Sequence, residues 1–87
     1  MENYVYTLLH TSAIDGYWDT DVRVFKNLED AQAKMKEEYA KVLKDWVDAY
    51  DEDDFLTETD DDVMTICEVG YYNKSHDEWT ITENKVL

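Results

Sequence analysis

Three side chains of this 87-residue sequence have the chemistry of a nucleophile, a general base or a soft metal ligand: His10, Cys67 and His76. No local motif sets any of them beside a second such group. Cys67 lies inside the run VMTICEVGYY, where a thiol is commonly a small packing group rather than a nucleophile. His10 closes a strand-like segment, and His76 sits in the turn-like segment NKSHD. With 22 Asp and Glu residues, the presence of two carboxylates for acid–base work carries no information. Two glycines build no phosphate cradle, and one cysteine forms neither an internal disulfide nor a Cys-based zinc site. The expectation is a non-enzyme with no catalytic residues, no metal and no cofactor.

The other chemical candidate is the stretch YDEDDFLTETDDD, Tyr50 to Asp62, which contains eight acids and no base. It has the length of a calcium-binding loop and acids at the first and third positions. It then departs from that pattern. Phe55 and Leu56 occupy the fifth and sixth positions, where an oxygen ligand and a sharply turning glycine belong, and Asp62 replaces the bidentate Glu at the end. Any association with Ca²⁺ or Mg²⁺ would be incidental.

Charge is the extreme property of the chain. The net charge of −14 opposes binding to nucleic acid or to an anionic membrane surface, and selects cationic partners. A domain of this length spans about 30 Å if compact. Fourteen charges over that length give about 0.45 per Å, against about 0.6 per Å of axis for duplex DNA. In size, net charge and acids interspersed with aromatics, the chain resembles the small acidic phage-type proteins that block restriction or CRISPR nucleases by posing as DNA. That resemblance implies a non-enzymatic inhibitor whose carboxylates occupy the phosphate sites of a basic nuclease or other nucleic-acid-binding protein. The residues expected to meet such a partner are Asp51, Glu52, Asp53, Asp54, Glu58, Asp60, Asp61 and Asp62. Tyr17 and Trp18, read as lying in a loop among acids, would be aromatic anchors. A solvated acidic surface that merely keeps the chain dissolved is the plain alternative reading.

These residues must be held by structured elements, and the aromatic content argues for a folded chain. NYVYTLLHT reads as a strand and Asp15-Gly16 as a turn, with a second strand in DVRVFK. Asn27 is a good N-cap for a helix over residues 28–50, with Glu29 and Asp30 in its first turn. Apolar residues at Leu28, Ala31, Met35, Tyr39, Val42, Leu43, Trp46, Val47 and Tyr50 follow helical spacing. Asp30–Lys34 and Glu37–Lys41 are spaced to pair along the helix. VMTICEVGYY and EWTITEN read as two more strands, with Trp79 and Ile81 on one face. The fold class is therefore α+β, a single β-β-α-β-β domain over residues 1–87: a four-stranded antiparallel sheet with one long helix packed on one face. The helix would cover Val22, Val24, Trp79 and Ile81. The other face would present Tyr and Thr, Tyr4 and Tyr6 among them, and a homodimer through it is the alternative function, that of a structural or assembly domain. The acidic stretch would be a connector from helix to third strand, pinned by Phe55 and Leu56. The absence of a signal-peptide pattern and of a run of about 18 apolar residues makes the cytoplasm the expected location.

Overall fold

A computed structural model of the chain describes residues 3–14, 16–69 and 75–86. In chain order it forms β1 (Asn3–Ile14), β2 (Tyr17–Phe25), α1 (Leu28–Ala49), a short 3-10 turn (Glu52–Asp54), β3 (Phe55–Thr59), β4 (Val63–Glu68) and β5 (His76–Val86). The architecture is α+β, with one helix on a five-stranded sheet of order β2-β1-β5-β4-β3 in which every neighbouring pair is antiparallel. The fifth strand is a correction. Phe55–Thr59, expected to be part of an acidic connector, is an edge strand, because Phe55, Thr57 and Thr59 suit a pleated surface even with acids on both flanks.

The first hairpin is longer than its sequence suggested. Ile14 pairs with Tyr17, so only two residues separate the strands, and Gly16 has φ 86°, in the left-handed region that such tight hairpins need. Tyr17 and Trp18 therefore begin β2 instead of lying in a loop. His76 likewise opens β5 instead of sitting in a turn. Tyr71 and Tyr72, at the end of the strand-like run VMTICEVGYY, fall outside the described residues.

The helix matches its sequence signal closely. Asn27 stands at the N-cap, although its side chain does not cap the backbone; its Nδ2 donates to Asp30 Oδ2 at 3.3 Å. Lys34 accordingly pairs with Glu37 (3.6 Å), not Asp30, while Lys41 pairs with Glu37 as its spacing predicts, at 3.5 Å. The helix joins the two opposite edge strands, β2 and β3, and so must cross the whole sheet. Four inter-strand gaps of about 4.8 Å make a width of about 19 Å. A 22-residue helix, about 33 Å long, spans that width on a diagonal. Its length follows from this connection. No helix among the described residues is long and apolar enough to cross a membrane.

Ala31, Met35 and Trp46 are the buried helix residues, and they meet Leu8, Met64, Ile66, Trp79 and Ile81. Tyr39, Val42, Leu43 and Tyr50 flank this core, whereas Leu28 and Val47, read as part of the stripe, are exposed. On β5 the expected face holds: Trp79 and Ile81 both point to the helix. On β1 and β2 the parity is inverted. Leu8 lies under the helix, and its cross-strand partner is Arg23. Val22 and Val24 therefore face away, exposed by 56% and 63%, and Tyr4 and Tyr6 lie on the helix side. The Tyr6 hydroxyl donates to Glu83 Oε1, and desolvation followed by the nearby Glu83 and Glu29 carboxylates pushes its pKa up.

Candidate functional site

Two polar clusters lie between helix and sheet, and each ends on a tryptophan indole. In the first, Arg23 turns inward from β2 and forms a close ion pair with Glu38 of α1, with Nη2 2.6 Å from Oε1. Its Nε is 3.2 Å from Asp21 Oδ2 but has no hydrogen-bond geometry to it. The same Glu38 oxygen accepts the Trp79 indole N–H at 3.3 Å. A charge beneath a helix costs desolvation energy unless it is paired, and Glu38 serves both Arg23 and the indole.

The second cluster centres on Asp77, which is 3% exposed. His10 Nε2 is 2.8 Å from its Oδ1, and the Trp46 indole N–H donates to Oδ2 at 2.8 Å. Ser12 contributes a further hydrogen bond. Burial alone would raise the Asp77 pKa. The hydrogen bonds from His10, Trp46 and Ser12 outweigh burial and hold the carboxyl below its ordinary range. The His10 ring is fixed from its other side by stacking on Trp79, with centroids 4.3 Å apart. Asp77 fell in a segment read as a turn. The signal that finds it is period two: Asp77, Trp79 and Ile81 alternate on one face of β5.

A cleft of about 380 Å³ opens over this second cluster, between the C-terminal half of α1 and strands β1 and β2. Its floor is His10, Ser12 and Asp77. Its walls include Ile14, Val42, Trp46 and Tyr50, and Asp19 and Asp45 stand on its exposed side. Trp46 and Tyr50 stack with centroids 4.8 Å apart. Ser12 bonds to the same carboxylate as His10, so Asp77, His10 and Ser12 do not form the serine–base–carboxylate relay of a nucleophilic enzyme.

Cys67 and His76 are cross-strand partners on the sheet face opposite the helix, away from His10. They line a shallow depression with Leu56, Glu58 and Glu78. The Cys67 thiol lies 3.5 Å from the Glu68 carbonyl oxygen, and the His76 ring packs edge-on against Trp18, centroids 5.6 Å apart. The sheet thus brings cysteine and histidine to adjacent positions without a hydrogen bond that would activate the thiol.

The eight acids of residues 51–62 occupy one edge of the sheet, seven of them in two groups. Asp51 to Asp54 follow the helix through the 3-10 turn, and Asp60 to Asp62 form the β3–β4 turn. Between them runs β3, about 17 Å long, with Glu58 exposed upon it. Tyr50 and Phe55 bracket the first group and pack around Trp46, so the acidic turn is anchored to the core. Leu56 does not share that role, since it points to the free face and is 68% exposed. The ion pairs described here draw on other acids: Asp21, Glu38 and Glu37. Tyr17 and Trp18, both exposed, lie on the opposite edge strand, and Trp18 reaches across the free face to His76.

The dimensions correct one expectation. The fold is 49 Å long, not about 30 Å, so 14 net charges amount to about 0.3 per Å, half the density of duplex DNA. Compared with known protein families, curated proteins and solved structures, the chain matches none.

Proposed function

We propose that this is a non-enzymatic binding protein that presents the carboxylates of its β3 edge to a basic partner, in the manner of an inhibitor occupying the phosphate sites of a nuclease or other nucleic-acid-binding protein. One observation carries this reading: eight carboxylates gathered along a single sheet edge, held at one end by Tyr50 and Phe55 on Trp46. Charge at this density steers a cationic surface toward the edge and makes the encounter salt-sensitive. The overall charge density is below that of DNA, so the mimicry is confined to this edge and does not involve the whole surface.

The test uses the quadruple variant Asp51→Asn, Asp53→Asn, Asp60→Asn and Asp62→Asn. A basic DNA-binding protein retained by the immobilised wild type at low salt should be displaced by a short DNA duplex. It should bind the variant at least tenfold more weakly. The variant's melting temperature should stay equal or rise, because like-charge repulsion is relieved. A partner that binds the quadruple variant as tightly as the wild type would falsify the reading.

A second reading, self-association as an assembly domain, is favoured by the free sheet face. Leu9 and Val22 pair side by side there, with Val24, Trp18 and Leu56 also exposed and threonines between them. Exposed apolar faces of this kind mark contact surfaces. Tyr4 and Tyr6 lie on the helix side, so the discriminating substitutions fall at Leu9 and Val22. Sedimentation of the wild type as a dimer, and of a Leu9→Glu, Val22→Glu variant as a monomer, is the expected result; a monomeric wild type rules this reading out.

A further inference from the structure

We infer that the cleft between α1, β1 and β2 receives the guanidinium of an arginine side chain. This rests on the proposed basic partner and names the group by which it would be held. Three carboxylates line the cleft, Asp77 in the floor and Asp19 and Asp45 on its exposed side, and no lysine or arginine lines it. A cationic guest is the one such a lining favours. The second observation is the shape and chemistry of the wall. Tyr50, half-buried and lining the cleft, offers aromatic surface beside the acids, and the buried Trp46 stacks behind it at 26°. A flat, weakly hydrated guanidinium stacks on an aromatic face and hydrogen-bonds to carboxylates in its own plane. A lysine ammonium is a compact, strongly hydrated point charge that uses such a wall poorly. The volume of about 380 Å³ lies at the small end of ligand pockets, enough for one side chain with its methylene stem against Ile14 and Val42.

A metal ion suits the cleft less well. The Asp77 oxygens already accept hydrogen bonds from His10 and Trp46, so Asp77 supplies negative charge from the floor, while the exposed Asp19 and Asp45 are the carboxylates that would bond the guanidinium N–H groups. Among the described residues no group of three or more His, Cys, Asp or Glu side chains is placed to hold a metal. Those same hydrogen bonds hold the floor in place before any guest arrives, so little ordering is required on binding.

The experiment titrates N-acetyl-argininamide into the whole protein and follows the three tryptophan indole N–H signals by NMR. The uncharged citrulline analogue and the lysine analogue are titrated in parallel. The expected result is a saturable shift of the Trp46 indole with the arginine compound, a several-fold weaker response to lysine, and none to citrulline. The double variant Asp19→Asn, Asp45→Asn should weaken arginine binding at least tenfold. Both substituted residues are exposed, so the fold should stay intact, which the unchanged Trp79 indole signal would verify. Asp60→Asn, Asp62→Asn should change binding less than twofold. An unmoved Trp46 indole, an equal response to citrulline, or a cleft variant that binds like wild type overturns the inference. The outcomes for the two proposals separate cleanly. Binding of a basic protein that depends on Asp51, Asp53, Asp60 and Asp62 but not on Asp19 and Asp45 sinks the cleft and leaves the β3 edge standing. No binding of any basic protein sinks both.

Discussion

Replacing Trp79 with alanine should destabilise the protein by about 3–5 kcal/mol, the usual range for removing a buried aromatic. Total stability for a chain this size is about 4–13 kcal/mol, so the loss removes between about a quarter and all of it. Trp79 is fully buried at the centre of the sheet. Its loss also removes the surface on which His10 stacks and Tyr39 rests edge-on, and it strips Glu38 of an indole donor while Arg23 remains paired there. Trp79→Phe separates the two contributions: it keeps most of the packing and loses the N–H, at a cost of about 1–2 kcal/mol. Urea unfolding followed by circular dichroism measures both. An alanine variant that unfolds within about 1 kcal/mol of wild type would contradict the packing described here.

Asp77→Ala should cost a comparable amount, about 3–5 kcal/mol at neutral pH, because it leaves His10, Ser12 and the Trp46 indole without their shared acceptor inside the fold. Asp77→Asn is the milder variant and gives a pH signature. The folded-state pKa of Asp77 lies below its unfolded value of about 3.9. The folded protein therefore binds the proton less readily than the unfolded chain. The ionised carboxylate's contribution is fully present above about pH 4 and is lost as the pH falls through the lower folded-state value. The stability difference between wild type and Asp77→Asn should be flat from pH 7 to about pH 5 and should shrink below pH 4. A difference that grows on acidification would show that Asp77 is not held ionised by these donors.

The helix was legible because its stripe repeats over six turns and involves only neighbours in sequence. The inward face of β2 was not. Val22 and Val24 carry the stronger apolar signal, yet Arg23 is the residue that turns inward, because its charge is met by Glu38 on a helix fifteen residues away. No local pattern encodes that meeting. β3 was hidden for a related reason: its acids belong to the turns at its ends and to the outer position Glu58, while Phe55 is the residue that reaches the core. The cleft was invisible as a unit, since His10, Asp45 and Asp77 come together only through the β1–β5 pairing and the diagonal of α1. The eight-acid edge was legible as composition, and the structure adds its division into two groups on either side of a strand.

The pairing of β1 with β5 has a consequence for synthesis. His10 and Asp77 meet across 67 residues of chain, and closing so long a loop costs about 4 kcal/mol of chain entropy beyond a constant. β1 can form its hairpin with β2 almost at once, but its other edge stands open until the last strand has been made. Through that interval an unsatisfied row of backbone donors and acceptors is available to any neighbouring half-made chain. The segment made in between includes the acids of residues 51–62, which repel their counterparts on another nascent copy. The same carboxylates proposed to attract a partner would thus, earlier in the molecule's life, keep its own copies apart.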